Sequence, residues 1–209
     1  MEIKISKPFG PSIVKAQIPK EIVIQLNDYI DQIIIDKQKS NELNLGTKLA
    51  GDVTQEFKLE QEIMNKSGWL KFLAGCVQEW IRVDLNDKIT KFNLIDSWVV
   101  RQFKDEYNPV HWHGGHISGA GFLKVPNTFG KHFQEKGDKE YVGGTLNLIH
   151  GSRQFLCNAK YKIIPVVGDF YFFPHYLMHT VYPFKGTEEE RRSISFNALI
   201  DERIFNTHG

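Results

Sequence analysis

From Lys20 to Lys37 the apolar residues Ile22, Leu26, Tyr29, Ile30, Ile33 and Ile34 recur at helical spacing, directly after Pro19. That pattern predicts an amphipathic helix with one face turned to a core. A second helical rhythm, carried by Ile63, Leu70, Leu73, Val77, Trp80 and Ile81, occupies residues 60–90. Between the two, LNLGTKLAGDVTQEF reads as a loop with some extended backbone. The N-terminal IKISKPFGPSIVKAQIP mixes β-branched residues with Pro8, Gly10, Pro11 and Pro19, which suggests an edge strand and a turn.

After about residue 92 the rhythm shortens. FNLIDSWVVRQF, SGAGFLKVP, GGTLNLIHG, KIIPVVGDFYFFP, HTVYPF and RRSISFNALI are brief, β-rich and separated by Gly, Pro and Asn turns. Such a cadence predicts a β-sandwich or barrel. Helical and strand patterns are segregated rather than alternating, and neither GxGxxG nor GxxxxGK[ST] occurs. A βαβ nucleotide-binding sheet is therefore not expected. No repeat or Pro/Ser-rich linker divides the chain. The expectation is one domain over 1–209, an α+β, mainly β fold in which residues 1–91 form a helical support layer and 92–209 the β core.

Bulk composition narrows the class without choosing a function. At 41% apolar and 24% charged, the chain falls among ordinary globular domains. Its net charge of +1 gives no reason to expect nucleic acid as an obligatory partner. The longest apolar runs are too short for a membrane span, and the N-terminus lacks a signal-peptide core. Cys76 and Cys157 form no CxxC pair, so two reduced, buried thiols in a cytoplasmic protein are expected.

The chemistry starts at NPVHWHGGHISGAGFLKVP, where three of the eight histidines, His111, His113 and His116, fall inside six residues. In an extended segment residues i and i+2 share a side, so His111 and His113 can present both imidazoles on one face. A third ligand is offered by FFPHYLMHTVYPF: His179 after a buried strand, with His175 in the turn as the nearer competitor. Three side chains on a six-position ion leave three positions open, the usual arrangement of non-haem Fe(II) with dioxygen and a cosubstrate. A dianionic keto acid would need a cation at its far carboxylate. In EERRSISFN, Arg191, Ser193, Ser195 and Asn197 share one strand face, and Arg191 with Ser193 makes a compact carboxylate clamp. The bland alternative is a solvated strand end whose arginines pair with Glu188–Glu190.

These pieces together resemble the Fe(II)/2-oxoglutarate-dependent dioxygenases, whose HxD/E…H…RxS pattern is carried on a double-stranded β-helix, or jelly roll. Here it stands as HWH at 111–113, MHTVYP with His179, and RRSISFN with Arg191 and Ser193, twelve residues beyond His179. GDFYFFP and GGTLNLI look like the prolyl-hydroxylase-like branch. FGPSIVKAQIP and LAGDV are similar to a subgroup seen in marine bacteria and their phages. The resemblance implies Fe(II), 2-oxoglutarate as cosubstrate, dioxygen, and a hydroxylation of a small molecule or peptide, with a homodimer allowed. It implies His111, His113 and His179 as metal ligands and Arg191 and Ser193 as the cosubstrate clamp.

One departure matters: His113 stands where the family has Asp or Glu. It is read as a third ligand, with water or chloride at that corner, or a supporting role for His113, as the alternatives. Asp105, Glu106, Glu135, Asp138 and Glu140 lie at no family-like position. Imidazoles bind metal unprotonated, so metal affinity is expected to fall as pH drops through about 6–7. His116 is expected to face substrate, and Arg101 either to line the pocket or to bridge to an acid. Tyr107, Trp112 and Arg153 are further pocket candidates. A three-histidine zinc hydrolase and a non-catalytic metal-binding sandwich stay open as rivals.

Overall fold

The strand Arg191–Ile200, paired along its length with Phe92–Gln102 on one side and Ile117–Lys124 on the other, is the axis around which the molecule is arranged. In the computed structural model, which describes residues 3–6, 10–46, 51–131 and 141–208, the chain runs through these elements in turn. β1 (Ile3–Ser6) and β2 (Ile13–Gln17) precede α1 (Lys20–Ile35) and α2 (Lys37–Leu43); β3 (Gln55–Lys58) precedes α3 (Gln61–Lys66) and α4 (Trp69–Leu85). Then come β4 (Phe92–Gln102), β5 (Asn108–His111), β6 (Ile117–Lys124), β7 (Leu146–Ile149) and β8 (Lys160–Ile163). β9 (Asp169–Pro174), β10 (Met178–Val181), β11 (Arg191–Ile200) and α5 (Glu202–His208) complete the chain.

Seven strands form one sheet in the order β1-β2-β9-β6-β11-β4-β3, and four form a second in the order β5-β10-β7-β8. All the pairings within them are antiparallel. The two sheets make a jelly roll, the double-stranded β-helix expected from the sequence. Strand alternation divides the apolar residues between two cores. Phe170 and Phe172 of β9, with Val99, Ile194 and Phe196, pack under the helices against Leu26, Ile30, Trp69 and Leu73. The intervening Tyr171 and Phe173 join Phe122, Leu146, Leu148 and Ile163 between the sheets. β6 passes so close to β9 that a Cβ at Gly121 would lie 2.3 Å from the Phe170 ring and 2.6 Å from the Asp169 carbonyl oxygen.

Both predicted helices break once. Asp36 ends α1 and caps α2, its carboxylate accepting from the backbone N–H groups of Gln38 and Lys39. Gly68, at φ 80°, separates α3 from α4.

The expected division at residue 91 needs correcting. The first 91 residues also supply β1 and β2 at one edge of the large sheet and β3 at the other. The short run that forms β3 has too few apolar residues to announce a strand, and its pairing to β4 is made across the whole of α3 and α4. Cys76 is buried as expected, but Cys157 is exposed on the β7–β8 turn, because Gln154 and Cys157 close that turn beyond the core. No described helix is long and apolar enough to cross a membrane. Pro8, the first part of LAGDV, Glu135, Asp138 and Glu140 lie outside the described residues.

Candidate metal centre

The β5–β10 ladder sets His111 directly opposite His179. That cross-strand pairing brings their rings to a centroid distance of 4.2 Å. His113 follows just beyond the strand end, and its ring lies 5.0 Å from His111 and 4.8 Å from His179. Its backbone is pinned on both sides by His175: the His113 N–H donates to the His175 carbonyl at 3.1 Å, and the His113 carbonyl accepts from His175 Nδ1 at 3.0 Å. One ring nitrogen from each of His111, His113 and His179 falls within 4.8 Å of the others.

The outer nitrogens are committed elsewhere. His111 Nδ1 lies 2.7 Å from the Pro109 carbonyl, and His179 Nδ1 lies 2.9 Å from that of Leu177. A carbonyl only accepts, so both rings carry the proton on Nδ1 and turn an Nε2 lone pair inward. His113 Nε2 and His179 Nε2 are 3.0 Å apart. Neighbouring ligands about 2.1 Å from an octahedral ion lie roughly 3.0 Å from each other. The donor set thus fits a divalent cation. Burial favours the neutral rings further, and repulsion among them adds to it: His113 is pulled down to about 4 and His179 to about 3, with His111 lowered as well.

The cluster opens into a cavity of about 240 Å³ between the sheets, lined also by Glu56, Trp98, Asn108, Leu146, Arg191 and Ser193. Arg191 is 2% exposed, and no described carboxylate pairs with it. Its Nε donates to the Gly144 carbonyl at 3.0 Å and its Nη1 to Ser193 Oγ at 3.3 Å, while the guanidinium stands 5.1 Å from the Phe122 ring centre. Burial without an anion depresses this guanidinium to about 9. A buried cation with neutral partners at a cavity wall has the chemistry to receive an anionic ligand.

Two sequence candidates are not in this cavity. Arg101 points to the helix side of the sheet, where its Nε donates to Glu190 at 2.7 Å and its Nη1 to Gln55, so the bridging reading describes it and the pocket-lining one does not. His116 is turned away from substrate space. Gly115, at φ 96° with the Ala198 carbonyl oxygen 3.0 Å from where a Cβ would sit, swings the chain under the C-terminal helix. There the His116 ring stacks 4.0 Å from Phe205, and its Nδ1 accepts from the Ile200 N–H at 3.1 Å. Trp112 stands at the cavity mouth, 66% exposed. Tyr107, Arg153 and His175 are absent from the lining.

Asp105 pairs with Lys185 at 3.4 Å, and Glu106 accepts from the Thr54 and Phe103 N–H groups, so neither enters the histidine cluster. Sequence reasoning missed Glu56. It is 1% exposed, its Oε2 has no hydrogen-bond partner among the described residues, and burial, helped by nearby Glu106, pushes its carboxyl up to about 7. Its only trace in the sequence is an acid alternating with Phe57 in an otherwise unremarked QEFK.

In this jelly roll, three converging imidazoles and a buried guanidinium face one cavity, an arrangement that can hold a divalent ion and an anionic ligand side by side. Residues 96–197, which include His111, His113, His179, Arg191 and Ser193, match the family model described as "Putative 2OG-Fe(II) oxygenase". Among solved structures, the chain is similar to a Pseudomonas putida prolyl-4-hydroxylase, at 16% identity and a TM-score of 0.59, over 88% of this chain and 91% of that one. It is similar to HygX of Streptomyces hygroscopicus, solved with nickel and 2-oxoglutarate, at 11% identity and a TM-score of 0.55, over 91% and 82%. A viral collagen prolyl hydroxylase from Paramecium bursaria Chlorella virus-1 aligns at 19% identity and a TM-score of 0.51, over 89% and 94%. At such identities these likenesses show the prolyl-hydroxylase-like fold. No curated protein gives a significant match.

Proposed function

We propose that this chain is an Fe(II)- and 2-oxoglutarate-dependent hydroxylase in which His111, His113 and His179 hold the metal and Arg191 with Ser193 holds the far carboxylate of 2-oxoglutarate. The observation that carries the reading is the shared cavity. It has three neutral imidazoles on one wall and, on another, a fully buried Arg191 that only an incoming anion would neutralise. When bound, Fe(II) and 2-oxoglutarate supply dioxygen activation coupled to decarboxylation of the cosubstrate to succinate and CO2.

The chain's own residues bind, orient and exclude water. The carbonyls of Pro109 and Leu177 fix two imidazole tautomers, and the β5–β10 ladder fixes their separation. Arg191 offers two donors and Ser193 a third at the far end of the cavity. Leu146, Val100 and Trp98 keep the space between them apolar. The substrate, a small molecule or a peptide segment, enters past Trp112.

A three-histidine zinc hydrolase would explain the ligands but leave Arg191 with no purpose. The deciding experiment is succinate formation from 2-oxoglutarate by purified protein supplied with Fe(II) and air. Metal-dependent succinate is expected, and it should vanish in His111→Ala and His179→Ala. Tight metal binding with no 2-oxoglutarate binding and no succinate would leave the hydrolase or a non-catalytic sandwich instead.

A further inference from the structure

Glu56 has no role in the site drawn so far, yet it lies where a charge must matter. On β3 it pairs across the sheet with Val100 of β4, and Val100 pairs with Ser193 of β11. Directly opposed residues share a face, so Glu56, Val100 and Ser193 form one row that faces the cavity. The carboxylate reaches toward β5, the strand that carries His111: Glu56 Oε1 and Asn108 Oδ1 both lie within 3.2 Å of the point where a Cβ at Gly51 would sit. Oε2 is buried and unpartnered. Among the described residues, Glu56 is the one carboxylate in the lining that also contains all three imidazoles.

We infer that Glu56 is the counter-charge of the metal centre, standing off the ligand sphere and supplying the negative charge that His113 does not. This rests on the proposed assignment of the three histidines as ligands. Charge bookkeeping motivates it. A divalent ion on three neutral imidazoles with a dianionic keto acid is neutral, and Arg191 then leaves the closed cavity one positive charge in excess. An ionised Glu56 brings that sum to zero. A buried acid whose Oε2 finds no partner among the described residues is otherwise hard to account for, since isolation disfavours its ionised form. Loading the site with a dication provides the missing partner. The next residue, Phe57, is turned by strand alternation to the helix-side core.

Glu56 is a positioning residue in this reading, so its test reads metal affinity rather than turnover. Co(II) serves as an air-stable probe, titrated by its visible absorption and by calorimetry into wild type, Glu56→Gln, Glu56→Asp, His113→Asp and the double variant His113→Asp/Glu56→Gln. Glu56→Gln is nearly isosteric and removes an unpaired acid, so folding is expected to be kept, and a thermal melt checks this. The expected result is a 10–100-fold loss of Co(II) affinity in Glu56→Gln, the usual range for a group supporting ligands from outside. Glu56→Asp, which keeps the charge, should recover most of it. In the His113→Asp background, where a carboxylate is restored at the ligand position, Glu56→Gln should cost less than about 3-fold.

Three outcomes would overturn the inference. One is unchanged Co(II) affinity in Glu56→Gln while wild type binds normally. Another is the same loss in both backgrounds, which would make Glu56 independent of position 113. The third is an equal loss in Glu56→Asp and Glu56→Gln, which would make shape rather than charge responsible. Failure of wild type itself to bind Co(II) would instead remove the metal site, so the two failures are distinguishable.

Discussion

Arg191 and Arg192 are consecutive on β11 and both almost fully buried, yet their surroundings are opposite. Arg192 points under the helices. Its Nε donates to Glu190 at 2.7 Å, one Nη to Asp31 at 2.6 Å, and the other to Asn27 Oδ1 at 3.0 Å. Burial alone would push Glu190 up, but hydrogen bonds from Arg192 and Arg101 hold it down at about 2. Arg191, on the cavity face, has a carbonyl, a hydroxyl and an aromatic ring for company. One arginine is paired with carboxylates, while no described carboxylate pairs with the other, as the proposed binding of an anionic cosubstrate requires. Strand alternation alone makes the division, so a shift of one residue would exchange structure and function.

The comparison breaks first on stability. Arg192→Ala strips a partner from the buried Glu190 and should destabilise the protein by about 3–5 kcal/mol, read by urea unfolding. Arg191→Ala removes a charge that has no counter-ion among the described residues, and its unfolding midpoint should stay near wild type or rise. Equal losses in both would show that Arg191 is a structural arginine too.

That parity was legible in the sequence because Ser193, Ile194, Ser195, Phe196 and Asn197 alternate polar and apolar directly after the two arginines. The same logic exposed HWH and the β cadence, since both are local patterns. What failed was non-local. Arg101 alternates as plainly as Arg191, but its partner Glu190 arrives from 89 residues away. His116 was drawn from the substrate side by α5, whose Phe205 stacks on it. Glu56 sits on a four-residue strand whose membership of the sheet is decided by β4 rather than by its own composition.

Acid should sharpen the contrast between the two kinds of buried charge. An unfolded histidine titrates near 6.5, and folded His113 and His179 near 4 and 3. Between those values the unfolded chain binds more protons, so stability is full above 6.5 and falls as pH drops, by about 1.4 kcal/mol per pH unit for each. Glu56 acts in the reverse sense. Its folded carboxyl titrates near 7, above an unfolded 4.5, so its contribution is present below 4.5 and lost as pH rises through 7. It therefore offsets one histidine between 4.5 and 6.5. Metal-free Glu56→Gln should lose stability more steeply with acid than wild type across that window, measured by chemical unfolding at several pH values. The low imidazole values also move proton competition for the metal below the 6–7 range expected from ordinary histidines.

The smallest expected effect belongs to Ser193→Ala. Its hydroxyl accepts from Arg191 at 3.3 Å and is the third donor of the proposed clamp. Losing one neutral hydrogen bond is worth about 0.5–1.5 kcal/mol, so 2-oxoglutarate affinity should weaken roughly 2–13-fold by calorimetry, with metal affinity unchanged. A loss as large as that of an arginine variant would mean that the serine, not the guanidinium, anchors the ligand.

The most direct test is an anaerobic calorimetric titration of 2-oxoglutarate into Fe(II)-loaded wild type and Arg191→Ala. Wild type should bind one equivalent, and Arg191→Ala should keep its Fe(II) while binding 2-oxoglutarate about 30–1000-fold more weakly, the cost of a lost charge-assisted pair of roughly 2–4 kcal/mol. Equal affinity in the two proteins, with iron bound in both, would contradict the account.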